Sequence, residues 1–276
     1  MAGRERISVR DLAAGAFVAT AAAFFLWIAA PRAAESGDPN ALWRIVHTLC
    51  VTDMKVSGNP APCARVDLKE RYAVLKDIRG DTQLLLIPTD RVSGIEAPEL
   101  LQPDAPNYFQ DAWDARPLFD ARAGHPVPRE DIALAINSLY GRSQQQLHIH
   151  IDCVRPGVRD ALARNLNRIG RRWAVLDASL NGRDYEAMRL AGDDLGDRNP
   201  FKLLAEQPDA RADMSRETLA VIGVVFSDGR PGFVLLSDQA NPLTMDFGTA
   251  EDLMDHNCKV LHDDASKEAP PPATRP

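Results

Sequence analysis

The sequence has no surplus of positive charge. Its 276 residues carry 32 Lys and Arg against 39 Asp and Glu, for a formal net charge of −7 and a pI near 5.4. That balance excludes the broad basic face with which a general nucleic-acid binder neutralises phosphates, so an anionic ligand has to meet a local cluster of Arg or Lys. Cysteine is scarce, at four residues with no Cys-x-x-Cys spacing, which argues against a zinc site. Internal repeats are absent, and so is low complexity apart from a Pro-rich C-terminus. Long apolar runs are missing as well, with one exception. The 45% hydrophobic and 26% charged composition is that of an ordinary globular chain able to form a sizeable core.

The exception runs from Leu12 to Ala30, is free of charge, and follows Arg4, Arg6 and Arg10. A helix of about 20 apolar residues crosses the hydrocarbon core, and the basic flank predicts a cytoplasmic N-terminus with the rest of the chain exported. A cleaved signal peptide is the alternative, since "AAPRAAES" offers small residues near a cleavage point, although the run is longer than a signal-peptide core of about 7–15 residues. Export would place Cys50, Cys63, Cys153 and Cys258 where disulfides persist. Four cysteines allow three pairings. The short Cys50 to Cys63 loop, containing "GNPAP", suits a local bridge and leaves Cys153 with Cys258; four buried thiols are the alternative. The predicted organisation is an anchor and linker over residues 1–38, a globular domain over 39–264 and a disordered tail over 265–276.

Within the domain, residues 39–50 read as a short helix. "RYAVLKDIRGDTQLLLIPTDRVSG" reads as a hairpin turning at Gly80-Asp81. "APNYFQDAWDARPLFDARAG" reads as a helix divided at Pro117, with Tyr108, Phe109 and Trp113 as core. "DIALAINSLYGRS" reads as a strand and turn, "RPGVRDALARNLNRI" as a helix starting after Pro156, and "NPFKLLAEQ" as another helix. "TLAVIGVVFSDGRPGFVLLSD" is a second hairpin, through Asp228-Gly229, and "GTAEDLMDHNCKVL" reads as a final helix. This mixture of helices and antiparallel hairpins indicates an α+β fold.

The chemistry concentrates in "GRSQQQLHIHIDCVRPGVR". On a strand, Gln146, His148, His150 and Asp152 share one face, while Leu147, Ile149, Ile151 and Cys153 share the other. The two histidines admit a structural reading and a metal reading, the latter with His47, His125, His256 or a carboxylate as third ligand. The remaining reading is nucleophilic attack on phosphorus, in which an imidazole splits one displacement into two through a covalent intermediate. That chemistry needs donors for the phosphate oxygens, and Asn137, Ser138, Arg142, Gln144 and Gln146 supply them nearby.

"QLHIHID" resembles the histidine triad, His-φ-His-φ-His-φ-φ with φ apolar, and "LAINSLYGRSQQQLHIHIDCVRPGVR" resembles the CDP-diacylglycerol pyrophosphatases, a membrane-associated branch of that superfamily. The likeness extends to "AVLKDIRGDTQLLLIPT", "APNYFQDAW", "GFVLLSD" and "AEDLMDHNC". It implies a histidine-triad-like α+β sheet with flanking helices, here preceded by an N-terminal transmembrane helix. It also implies a phosphoric-anhydride hydrolase that converts CDP-diacylglycerol to CMP and phosphatidate without a cofactor or metal. His148 falls on the middle triad position, the nucleophile, and His150 on the last, which contacts the phosphate or steadies the nucleophile. Asn137, Ser138 and Gln144 match the residues that hold phosphate oxygens, and Arg142, with Lys76 and Arg91, would offset the pyrophosphate charge. The sequence departs from the pattern at Gln146, which replaces the first triad histidine, and at Asp152, charged where the motif is apolar. The implied partners are the liponucleotide and the lipid bilayer, without nucleic acid or an obligate protein partner. The implied location is a bacterial inner membrane, with the domain in the periplasm. A non-catalytic nucleotide-binding protein and a hydrolase of other nucleotide pyrophosphates are the competing functions.

Overall fold

The computed structural model describes residues 37–261. One nine-stranded antiparallel sheet organises them, in the order β1-β2-β3-β5-β4-β8-β9-β7-β6. Its strands are β1 (Arg65–Asp67), β2 (Tyr72–Lys76), β3 (Leu84–Pro88), β4 (Ile132–Ile136), β5 (Ile149–Cys153), β6 (Ala174–Val175), β7 (Glu186–Ala191), β8 (Leu219–Val225) and β9 (Pro231–Ser237). β2–β3 and β8–β9 are the two hairpins whose turns carry Gly80-Asp81 and Asp228-Gly229. β5 lies centrally, between β3 and β4.

Alternation along β2 and β3 explains how the sheet is covered on both faces. Tyr72, Val74, Leu84 and Leu86 turn into the large core with Tyr108, Phe109, Trp113 and Phe119. Ala73, Leu75, Leu85 and Ile87 turn the other way and pack under Val46, Cys50 and Val51. Those last three belong to a helical stretch made of α1 (Ala41–Arg44), a π-helical turn (Ile45–Cys50) and α2 (Val51–Ser57). It stops where Gly58 takes a left-handed φ of 73°, the conformation that suits glycine at a helix C-terminus. A Cys50–Cys63 disulfide pins the stretch to the loop before β1, and a Cys153–Cys258 disulfide joins β5 to the C-terminal segment.

The aromatic segment forms α3 (Tyr108–Asp114) and α4 (Arg116–Ala123), with Pro117 in the first turn of α4, where its missing N–H has no intrahelical partner to lose. α5 (Pro156–Asn165) starts on Pro156 for the same reason. α6 (Pro200–Leu204) is capped by Asn199, whose side chain accepts from the Phe201 N–H, and α7 (Pro208–Ala212) follows.

Two expectations are corrected. The transmembrane helix expected as part of the fold is not found among the described residues, where no helix is long and apolar enough to cross a membrane. The longest single α-helix, α5, has 10 residues, about 15 Å at 1.5 Å per residue, and the composite stretch Ala41–Ser57 spans about 25 Å, against a hydrocarbon core of about 30 Å. The run from Leu12 to Ala30, on which the anchor was expected, lies outside the described residues, as does the tail over 265–276. What is described is an α+β unit built on one large antiparallel sheet. The expected C-terminal helix is also largely absent. Ala250–Leu253 makes a single 3-10 turn, after which Met254 bridges Val154 and the Asp255 N–H donates to the Cys153 carbonyl. Pairing with the end of β5 displaces the helix there.

Candidate active site

The site is built around β5 and the turn leading into it. Regular pairing begins at Ile149, so His148 sits one residue before the strand, yet the alternation holds through both histidines. Leu147, Ile149, Ile151 and Cys153 enter the large core, while His148 and His150 line a cavity of about 530 Å³ on the opposite face. Their rings meet edge to face at 5.0 Å. In register, His150 lies opposite Leu85 on β3 and Ala135 on β4, so its direct cross-strand neighbours are apolar or small.

The His148 Nδ1 lies 2.7 Å from the Gln146 carbonyl oxygen. A carbonyl only accepts, so Nδ1 carries the proton and the Nε2 lone pair is left for chemistry. Burial, with His150 beside it, pushes the His148 imidazole down to about 4, which keeps the ring neutral at ordinary pH. Burial also holds His150 below its ordinary value, with Glu251 and Asp77 pulling the other way. Gln83 Nε2 donates to His150 Nδ1 at 2.8 Å and to Glu251 Oε1 at 3.2 Å. Because the carboxylate accepts only, the nitrogen side of the Gln83 amide has to face it, and the His150 Nδ1 becomes an acceptor. Its proton is then on Nε2, which is buried and has no partner within the protein.

Glu251 closes the cavity from the 3-10 turn. Burial alone would raise its carboxyl, but His150, Gln83, Arg79 and His256 outweigh that and hold it below its ordinary value. Its Oε1 receives Arg79 at 3.3 Å and lies 3.4 Å from His256 Nε2. The other ring nitrogen of His256 is 2.7 Å from Asp152 Oδ2. The hydrogen bond to Asp152 raises the His256 pKa, which suits an imidazolium between two carboxylates. Asp152 is fully buried, and its Oδ1 accepts from Thr82 Oγ1 and the Cys153 N–H.

The other residues singled out from the sequence divide into two groups. Asn137 and Gln144 line the cavity. Asn137 Oδ1 accepts from the Glu251 N–H at 3.1 Å, and Gln144 bonds the Leu42 N–H and the Asp38 carbonyl, tethering the start of the helical stretch. Arg142 and Lys76 also reach the cavity wall, but their charges are engaged. Arg142 makes a two-pronged pair with Glu96 at 2.5 and 2.7 Å, and the Lys76 Nζ donates to the carbonyls of Asp77, Arg79 and Gly80.

Gln146, Ser138 and Arg91 are not among the cavity-lining residues. Gln146 Nε2 donates to the Pro88 and Asp90 carbonyls at 3.1 and 2.8 Å. Ser138 Oγ donates to the Phe247 carbonyl. Arg91 bonds Asn40 and sits over the Trp43 ring. His47 stacks on Trp43 and His125 bonds the Pro126 carbonyl, so neither joins the histidine pair. Gly141 is required by close approach, since a Cβ there would lie 2.5 Å from the Gly248 carbonyl oxygen. Among the described residues, Asp77, His150 and Glu251 place ligand atoms within 4.8 Å of one another, a group that could hold a metal ion. The other such group, Asp152 with Cys153 and Cys258, has its sulfurs in a disulfide and offers no thiolate.

The sequence reading missed Asp77, Gln83 and Glu251 altogether, and considered His256 only as a metal ligand. All four occupy strand ends and turns, where neither period nor motif marks a residue. The alternation of β3 does place Gln83 on the face shared with Leu85, opposite Asp152.

The arrangement offers a neutral imidazole with a free Nε2, a second imidazole presenting an N–H, and amide donors around a pocket of nucleotide size. A sequence model described as CDP-diacylglycerol pyrophosphatase matches residues 37–262. The chain is also 44% identical over 225 residues to a CDP-diacylglycerol pyrophosphatase of Yersinia pestis, covering 81% of this chain and 86% of that protein. The chain belongs to the CDP-diacylglycerol pyrophosphatase family and is a hydrolase.

Proposed function

We propose that this chain hydrolyses the pyrophosphate bond of CDP-diacylglycerol to CMP and phosphatidate through a covalent intermediate on His148. The observation that carries the covalent route is the His148 Nδ1 to Gln146 carbonyl bond of 2.7 Å. It leaves Nε2 as the nucleophile and gives the ring a fixed acceptor for its remaining proton. Nε2 attacks the phosphorus of the cytidylyl half, an N–P bond forms, the bridging P–O bond breaks, and phosphatidate departs with the electron pair. The nucleotidyl-imidazole now carries positive charge, which the Gln146 carbonyl stabilises through Nδ1–H. Water then attacks the same phosphorus, the N–P bond breaks, CMP leaves, and the water's proton passes to solvent or to a neighbouring carboxylate.

His150 supports both steps by directing its Nε2–H at a phosphoryl oxygen, and Asn137 and Gln144 offer amide donors from the wall. The Cys50–Cys63 and Cys153–Cys258 disulfides support work in an oxidising compartment, and we place the domain in the periplasm. Product analysis tests the activity. Equimolar CMP and phosphatidate from CDP-diacylglycerol in detergent, lost in His148→Ala with the disulfides intact, is the expected result. Release of CDP, or near-normal turnover by the variant, would contradict it.

A further inference from the structure

The cluster beyond the two histidines is longer than the displacement chemistry requires. Five side chains connect in sequence: Asp152 to His256 at 2.7 Å, His256 to Glu251 at 3.4 Å, Glu251 to Gln83 at 3.2 Å and Gln83 to His150 at 2.8 Å. We propose that His256 is a positioning residue for the hydrolysis, bridging Asp152 to Glu251 and so fixing, through the Gln83 amide, the ring of His150 with its Nε2–H in the catalytic cavity. This rests on His150 contacting the phosphoryl group, the reading given above.

Each link constrains the next, three through donor and acceptor character and the His256–Glu251 link through charge. Asp152 accepts from the ring at Nδ1, and Glu251 faces the other ring nitrogen at 3.4 Å as an ion pair, so the doubly protonated, cationic ring suits both. A neutral imidazole has one N–H and cannot satisfy both. Glu251, held ionised and in place, obliges Gln83 to present its amide nitrogen, and that nitrogen obliges His150 to accept at Nδ1. Reversing the Gln83 amide would set its oxygen against a carboxylate oxygen at 3.2 Å. The chain of obligations thus ends by placing a donor, instead of a lone pair, where phosphate oxygens arrive.

The bridge is mechanically anchored as well. His256 sits between Asp255, whose N–H donates to the Cys153 carbonyl at 2.9 Å, and the segment tied by the Cys153–Cys258 disulfide. Both ties lead to β5, the strand that carries His150 and Asp152. The charged groups facing His256 are Asp152 from β5, Glu251 from the 3-10 turn and Arg79 from the β2–β3 turn. Asp81, Arg122 and His125 line the adjoining cavity. Two carboxylates in direct contact against one guanidinium favour the cationic ring.

The test uses the full chain in detergent, labelled with ¹⁵N-histidine, as wild type, His256→Ala and His256→Gln. Disulfide content and circular dichroism confirm folding, and the glutamine variant serves if the alanine variant fails to fold. In wild type near pH 7.5, His150 is expected as the neutral Nε2–H tautomer. In the variants its signals are expected to move towards Nδ1–H, with kcat falling about 100-fold while KM stays within about threefold. Added imidazole should restore part of the kcat of His256→Ala and none of the glutamine variant's. An unchanged His150 tautomer with unchanged kcat would overturn the proposal. Lost kcat without a tautomer change and without imidazole rescue would overturn it equally, by marking His256 as a merely structural part. The tautomer is read without substrate, so failure of the covalent route leaves this arm of the test intact.

Discussion

His148 donates its Nδ1 proton to the carbonyl oxygen of Gln146, two residues earlier, at 2.7 Å. Gln146 thus meets the proposed nucleophile through its backbone, while its side chain points elsewhere. Gln146 is fully buried, with Nε2 on the Pro88 and Asp90 carbonyls and Oε1 without a partner.

Replacing Gln146 by Ala should therefore act on stability before catalysis. The buried Pro88 carbonyl and the partly buried Asp90 carbonyl lose their donor, at about 1–3 kcal/mol. Urea unfolding should show that loss, with kcat within a fewfold of wild type. Gln146→His should not raise kcat, because the side chain is not part of the cavity; a large gain would show a titratable group acting from that position.

The pH dependence follows from the two buried histidines. The proposed attack needs neutral His148, and its pKa of about 4 predicts full activity down to about pH 5, well below the usual histidine range. An acid limb of kcat/KM centred near 6.5 would contradict the burial account. Stability follows the same sign. A histidine whose folded pKa lies below its unfolded value contributes stability above the unfolded pKa, and that contribution is lost as pH falls from 6.5 towards 4. For His148 the loss is about 3 kcal/mol at 1.36 kcal/mol per unit. His256, raised by Asp152, has the opposite sign, contributing below its unfolded pKa and losing that contribution as pH rises through its folded value. Urea unfolding of wild type and His148→Gln between pH 4 and pH 8 separates the two.

Arg142 illustrates how a basic residue beside a phosphate site can be spoken for. Its side chain is 2% exposed and doubly bonded to Glu96. Arg142→Ala strands a carboxylate and should cost about 3 kcal/mol, whereas Arg142→Met with Glu96→Leu should recover most of it. Thermal unfolding of the single and double variants checks the pairing. If the double variant is stable but has lost substrate affinity, Arg142 also meets the pyrophosphate.

The two disulfides should differ in weight. Closing 105 residues constrains the unfolded chain more than closing 13, about 4.7 against about 3 kcal/mol by chain entropy. Paired Cys→Ala variants, compared by denaturant midpoint, test the order. Because Cys258 also anchors His256, the Cys153/Cys258 pair should lower kcat while the Cys50/Cys63 pair leaves it close to wild type.

What was legible in the sequence is whatever local period or turn chemistry encodes. The two hairpins, the division at Pro117, the start of α5 at Pro156 and the opposed faces of β5 all arise from neighbours along the chain. Strands β6 and β7 were not read, because β6 has only two residues and β7 is only partly buried, with a weak pattern. The segment around Ala250–Leu253 was misread because pairing with the end of β5 and the Cys153–Cys258 bond, both long-range, override its helical composition. The site shows the same division. His148, His150, Asn137 and Gln144 come from one stretch of chain, whereas Asp77, Gln83, Glu251 and His256 arrive through register and the C-terminal fold-back.

The central claim is the covalent route, and the most direct measurement is to catch the intermediate. Wild-type protein mixed with CDP-diacylglycerol labelled in the cytidylyl phosphate, quenched within milliseconds in alkaline detergent to protect an N–P bond, is digested and sequenced by mass spectrometry. The account predicts one cytidylyl group on the peptide containing His148, formed with a burst of phosphatidate ahead of CMP and absent from His148→Ala. CMP and phosphatidate appearing together without a burst, from enzyme that never carries the label, would contradict it.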